Sequence, residues 1–197
     1  MTRALKVVVF DLGETLVDET GMWERAAVAA GVPAFTLMGV IGGLAARGES
    51  HHRVWDVLGV APPDVAWTAD ELYPDALPCL RELEADGLRV AAVGNTSEQG
   101  AKALAASVDV LGSSEGWALE KPAPEFFARV VAEAGASVGE TAYVGDRIDN
   151  DVRPARAAGL LAVHVRRGPW GYLQAGADEA DVRVDSLVEL PGALARV

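Results

Sequence analysis

Cysteine is almost missing from this chain: Cys79 is the one thiol in 197 residues. An internal disulfide is therefore excluded, and so is a cysteine-built zinc site. Cys79 falls in a helical pattern beside Leu80 and reads as a small core residue. Histidine is scarce too. His51, His52 and His164 share no motif, which favours ordinary structural roles over metal ligation. Positive charge is in deficit, with 17 Lys and Arg against 29 Asp and Glu and a net charge of −12. That balance argues against a nucleic-acid or anionic-membrane surface, which needs clustered basic residues. A long apolar run is also lacking. The most apolar stretch, 32–46, contains three glycines and falls short of the ~20 residues that cross a bilayer. The N-terminus reaches charged residues too soon for a signal peptide, so a cytoplasmic location is the expectation. There are no repeats and no low-complexity segments.

What remains is a chain that is half hydrophobic and long enough to bury a proper core. Val7, Val8, Val9 and Phe10 form an apolar, β-branched run that reads as a buried strand and stops at Asp11. Residues 19–72 then show short helical patterns (19–30, 35–47 and 50–58) and no clear strand. Trp23, Trp55 and Trp67 all lie in this block and are expected to pack its helices. From residue 73 onward, strands alternate with helices. Strands are expected at 88–93, 108–111, 141–144, 160–165 and 182–184, and helices at 74–85, 99–106, 125–134 and 152–158. This alternation predicts an α/β fold with a doubly wound parallel sheet, interrupted by a small helical insertion. The expected division is a core of 1–18 and 73–197, with 19–72 inserted.

Ligands of such sheets bind beyond the carboxyl ends of the strands. Those ends carry Asp11; Asn95 with Thr96 and Ser97; a loop with Lys121; and Asp146 with Arg147, Asp149 and Asp151. A lysine among several carboxylates suits a phosphate ester bound with a divalent cation, and hard oxygen donors suit Mg²⁺. Asp149-Asn150-Asp151 lacks the glycine and the terminal glutamate of a calcium loop. Arg147, Arg166 and Arg167 stand at strand ends, where phosphate contact and simple solvation are both open. Trp117 and Trp170 flank the motif loops.

Taken in order, Asp11-Leu12-Gly13-Glu14-Thr15-Leu16, Gly94-Asn95, Lys121-Pro122 and Gly145-Asp146 through Asn150-Asp151 resemble the four motifs of the haloacid dehalogenase superfamily. The inserted helices resemble that superfamily's cap. The resemblance implies that Asp11 is the nucleophile, forming an aspartyl-phosphate in the hydrolysis of a small phosphorylated metabolite. It implies Mg²⁺ held by Asp11, the backbone carbonyl of Gly13 and Asp146, with Asp151 supporting from behind. Lys121 would neutralise phosphate charge and orient Asp11, while Asn95, Thr96, Ser97 and Arg147 would complete the catalytic and substrate-binding set.

Two positions depart from the motif. The superfamily's second aspartate, its usual general acid and base, falls at Gly13, and the usual Ser or Thr before Asn95 is Gly94. Gly13 keeps a carbonyl for the metal but cannot transfer a proton, a service typically worth about 10²–10⁴-fold. Glu14 is adjacent but is not expected to substitute; Thr96 or Ser97 is a candidate for the missing hydroxyl. Good leaving groups, as in aryl or acyl phosphates, are therefore expected to be preferred. Two further readings stay open at this point. One is a metal-independent 2-haloacid dehalogenase; the other is an impaired phosphate-binding or regulatory protein.

Overall fold

The computed structural model describes residues 4–197. Six strands, β1 (Val7–Phe10), β2 (Arg89–Gly94), β3 (Val110–Ser113), β4 (Thr141–Gly145), β5 (Leu161–Val165) and β6 (Val182–Val184), form one parallel sheet in the order β3-β2-β1-β4-β5-β6. The chain winds outward from β1 to β3, then returns to the other side of β1. The crevice of such a sheet opens where the winding reverses, between the carboxyl ends of β1 and β4. The backbone N–H of Asp11 donates to Val144 O at 2.8 Å, which fixes the first residue beyond β1 at that point.

Ten helices accompany the strands among the described residues. Between β1 and β2 lie α1 (Thr20–Ala30), α2 (Ala34–Ala46), α3 (Val54–Leu58) and α4 (Ala76–Ala85); α5 (Glu98–Leu104) joins β2 to β3. Then follow α6 (Ser114–Trp117), α7 (Pro124–Ala134), α8 (Arg153–Ala157), α9 (Gly168–Leu173) and α10 (Leu190–Leu194). Side chains alternate across a strand with a period of two. Val8 and Phe10 accordingly enter a cluster with Leu80 and Leu83 of α4 and Leu190 of α10. Val7 and Val9 pack on the opposite face against Phe126, Phe127 and Val130 of α7. Both faces are covered, which is why β1 reads as an unbroken apolar run rather than an alternating one.

The helices α1 to α3 pack a separate cluster built on Leu37, Ile41, Leu44 and Val54, with Trp23 and Trp55 against it and Trp170 of α9 buried within it. Gly31, at φ 69°, closes α1 by donating back to Ala27 and Val28, the turn that glycine adopts most readily. No single helix among the described residues is long and apolar enough to cross a membrane.

Several elements differ from the sequence expectation. The helix expected at 50–58 is a 3₁₀ turn, His51–Arg53, followed by the five-residue α3. β3 starts at Val110 because Val108 still donates to Leu104 O at the end of the preceding helix. The segment after β4 begins with a π-helical turn, Ile148–Val152, before α8. Two short helices, α6 and α9, lie where loops were expected. Trp67 does not pack the inserted helices. It belongs to the cluster under the sheet, and its indole N–H donates to Gly100 O at 3.1 Å.

Arg167 is a structural brace rather than a ligand for substrate. Its guanidinium pairs with Asp75, donates to Thr15 O at 2.9 Å and stacks over the Tyr73 ring at 4.2 Å. Asp75 also accepts from Ser186 Oγ at 2.8 Å and Leu187 N at 3.1 Å, so one buried pair ties α4 to the loops after β5 and β6. Removing one partner of a buried pair strands the other charge. Arg167→Met is expected to lower unfolding free energy by about 3 kcal/mol in urea titrations. Its folded spectrum should match that of the wild type.

Candidate active site

The Lys121 ammonium is the centre of the crevice. Its Nζ lies 2.6 Å from Asp11 Oδ1 and 2.5 Å from Asp151 Oδ1, and the Lys121 side chain is 1% exposed. Burial works against this charge. The two carboxylates outweigh it and hold the Lys121 pKa well above the ordinary value. The main chain is fixed as firmly as the tip. Asn95 Nδ2 donates to Lys121 O at 3.0 Å, and Lys121 N donates to Asn95 Oδ1 at 2.8 Å. Asn95 thus positions the lysine through its backbone, across a gap of 26 residues.

Asp11, Asp146 and Asp151 each bring a carboxylate oxygen within 4.8 Å of the others, all three buried. Arg147 N donates to Asp151 Oδ2 at 3.0 Å, and His164 Nε2 is 3.0 Å from the carbonyl of Asp146. Burial, with Asp151 and Asp11 nearby, pushes Asp146 well above the usual carboxyl range. Burial likewise raises Asp151 to about 6, against the pull of Lys121. Ionising all three carboxylates would leave negative charge that one ammonium does not offset, which is the condition a bound divalent cation relieves. The donors are all hard oxygens, so the set fits a Mg²⁺-sized divalent cation. Asp149 stands apart from this group, bound to Arg147 at 3.1 and 2.9 Å.

Three glycines let these groups approach. A β-carbon on Gly145 would lie 2.4 Å from Asp151 Cγ, and one on Gly94 would lie 2.3 Å from Asp11 Oδ1. Gly94 therefore makes room for the carboxylate of Asp11. On Gly13 a β-carbon would lie 2.3 Å from Glu19 Oε1. Thr96 and Ser97 line the cleft, and Ser97 Oγ already accepts from Gly100 N at 3.1 Å as the N-cap of α5.

Glu14 lines the crevice too, but its carboxylate is fully engaged. It sits at φ 53°, and its two oxygens accept from Tyr73 OH at 2.7 Å and Glu19 N at 3.1 Å. Glu19 faces the cleft, and Trp23 Nε1 donates to its Oε2 at 3.1 Å. Burial, then the Glu14 carboxylate, pushes Glu19 up to about 8. Sequence reasoning read Glu19 only as the start of a helix. An acid at the junction between the first motif and the insertion was the available signal.

The cleft encloses about 1020 Å³ and is walled on the far side by His51, His52 and Trp170. Burial, with His52 and Arg147 close by, lowers His51 to about 3, so its ring stays neutral. The Arg147 guanidinium lies 4.8 Å over the Trp170 ring and lines the cleft while paired with Asp149. Arg166 is instead paired with Asp185 at 2.9 Å, and Trp117 packs on Phe126. Because Gly145 yields its space to Asp151, Gly145→Ala is expected to fold but to displace the Asp151 carboxylate, and so to weaken any divalent-cation binding by the trio about 10–100-fold by calorimetry.

The comparisons fall in line with this geometry. Residues 5–159 match the family model described as haloacid dehalogenase-like hydrolase. A glyceraldehyde 3-phosphate phosphatase of Methanocaldococcus jannaschii is 34% identical over 125 residues, 60% of this chain and 54% of that protein. The chain thus spans about half the length of that curated relative. A phosphatase structure from Thermococcus onnurineus superposes with a TM-score of 0.65 at 22% identity, covering 96% of this chain and 98% of the other. The L-2-haloacid dehalogenase of Xanthobacter autotrophicus, with chloropropionic acid covalently bound, gives 0.68 at 20% identity, covering 98% of both chains. At those identities the structures speak for the fold alone. With the family model matched over most of its length, the chain belongs to the haloacid dehalogenase-like hydrolases.

Proposed function

We propose that the protein is a Mg²⁺-dependent phosphatase acting on small phosphate monoesters. The observation that carries this reading is the buried trio Asp11, Asp146 and Asp151 around the Lys121 ammonium. Asp11 is the nucleophile: its free oxygen attacks phosphorus, giving an aspartyl-phosphate that water then cleaves. Lys121 holds the other Asp11 oxygen and supplies positive charge as phosphoryl oxygens crowd the site. Asp11, Asp146 and the Gly13 carbonyl would hold the Mg²⁺, with Asp151 behind, and the ion would supply charge neutralisation for the phosphoryl group. Asn95 keeps Lys121 in place, Arg147 and the hydroxyls of Thr96 and Ser97 contact the phosphate end, and α1 to α3 serve as a cap over the remainder of the substrate.

The named activity of the Methanocaldococcus relative supports a three-carbon phosphate as one substrate to try. A dehalogenase shares the fold and an aspartate nucleophile but has no use for a cation. The acidic trio favours the phosphatase. A panel of aryl, acyl, glyceraldehyde and glycerol phosphates with Mg²⁺ is expected to show turnover that EDTA abolishes and Mg²⁺ restores. Asp11→Asn is expected to lose at least about 10³-fold in kcat/KM. Halide release from 2-chloropropionate in the presence of EDTA would overturn the proposal in favour of the dehalogenase.

A further inference from the structure

The turn after β1 leaves position 13 without a side chain, and a residue six positions further on fills the gap. A β-carbon on Gly13 would meet Glu19 Oε1 at 2.3 Å and Glu19 Cδ at 3.0 Å. The Glu19 carboxyl therefore occupies the space in which a side chain from residue 13 would begin. It is held there from both ends. Trp23 Nε1 donates to Oε2 at 3.1 Å, and the Glu19 backbone N–H donates to Glu14 Oε1 at 3.1 Å. Oε1 remains on the side facing Gly13, and Glu19 lines the same cleft as Asp11, Lys121 and Asp146. The neighbouring acid, Glu14, has both oxygens engaged elsewhere and a backbone that turns it toward Tyr73.

We propose that Glu19 is the catalytic acid and base of this enzyme, standing in through space for the side chain that residue 13 lacks. The inference rests on the phosphatase reading above. In the first step an Asp11 oxygen forms a bond to phosphorus while the bond from phosphorus to the ester oxygen breaks. The departing oxygen takes the proton of the Glu19 carboxyl and leaves as an alcohol. In the second step the Glu19 carboxylate accepts a proton from water as the water oxygen attacks phosphorus. The bond between phosphorus and Asp11 breaks, inorganic phosphate departs, and Asp11 and Glu19 return to their starting states. Glu19 also begins the inserted helices, so the proton donor and the covering segment arrive as one unit.

The test uses the full chain with saturating Mg²⁺ and two probes, 4-nitrophenyl phosphate and glycerol 3-phosphate. Nitrophenolate leaves without a proton, whereas an alkoxide needs one. Glu19→Gln is expected to lower kcat for glycerol 3-phosphate by about 10²–10⁴-fold. The first turnover of 4-nitrophenyl phosphate should fall by less than ~10-fold, because only its second step needs the base. A burst of nitrophenol should follow, with phosphate trapped on Asp11 in intact-protein mass spectra. Gly13→Asp alone is expected to gain nothing, since its β-carbon meets Glu19. Gly13→Asp combined with Glu19→Ala should recover glycerol phosphate turnover by at least ~10-fold over Glu19→Ala alone. Equal slowing of the first turnover of both probes by Glu19→Gln, or no slowing of either, overturns the assignment and leaves the phosphatase reading standing on Asp11→Asn. If the wild type turns over neither probe and no other phosphate monoester, the phosphatase reading falls and the assignment falls with it.

Discussion

A single buried ammonium shared by two carboxylates is the constraint on which this molecule turns. Lys121 cannot stay charged in the interior unless Asp11 and Asp151 stay beside it, and Asp151 cannot stay buried without Lys121. Meeting that condition brings three separate loops together. The end of β1 supplies Asp11, the segment before α7 supplies Lys121, and the π-helical turn after β4 supplies Asp151. The end of β2 contributes Asn95, which clamps the lysine's main chain. The parallel sheet delivers these segments to one edge, and the glycines at 94 and 145 remove the atoms that would keep them apart.

Fold and chemistry separate cleanly here. A phosphatase and a haloacid dehalogenase superpose on this chain about equally well, so the backbone alone does not choose between them. The choice falls to a few side chains. Three buried acids around one base form a set that is short of positive charge, and phosphate chemistry with a divalent cation uses that shortage. The Asp11 carboxylate belongs both to the acid set and to the ion pair, which couples its charge to that of Lys121.

Much of this was legible in the chain. β1, β2, β4 and β5 announce themselves because a strand covered on both faces is apolar throughout. Asp11, Asn95, Lys121, Asp146 and Asp151 stand out because each follows a strand or precedes a helix at a chemically bare point. What was hidden is what depends on approach through space. Asp149 lies only two residues from Asp151, and its capture by Arg147 outside the acidic trio had no sign in the chain. Glu19 looks like an ordinary first residue of a helix until the fold lays it over Gly13. Trp67 and Arg167 gave no sign of direction either, because a tryptophan in a helical block or an arginine at a strand end has no periodicity to read. Short helices such as α6 and α9 carry too few residues for a pattern to emerge.

Trp170 belongs to α9, on the far side of the sheet sequence from the inserted helices, yet it packs among Leu37, Ile41 and Leu44 as part of their cluster. Its ring also meets His51 at 5.5 Å edge-on and takes the Arg147 guanidinium on its face. The insertion is thus moored to its parent by a plug that the parent itself provides. Lifting the helices straight off would uncork that plug and wet the small apolar cluster around it.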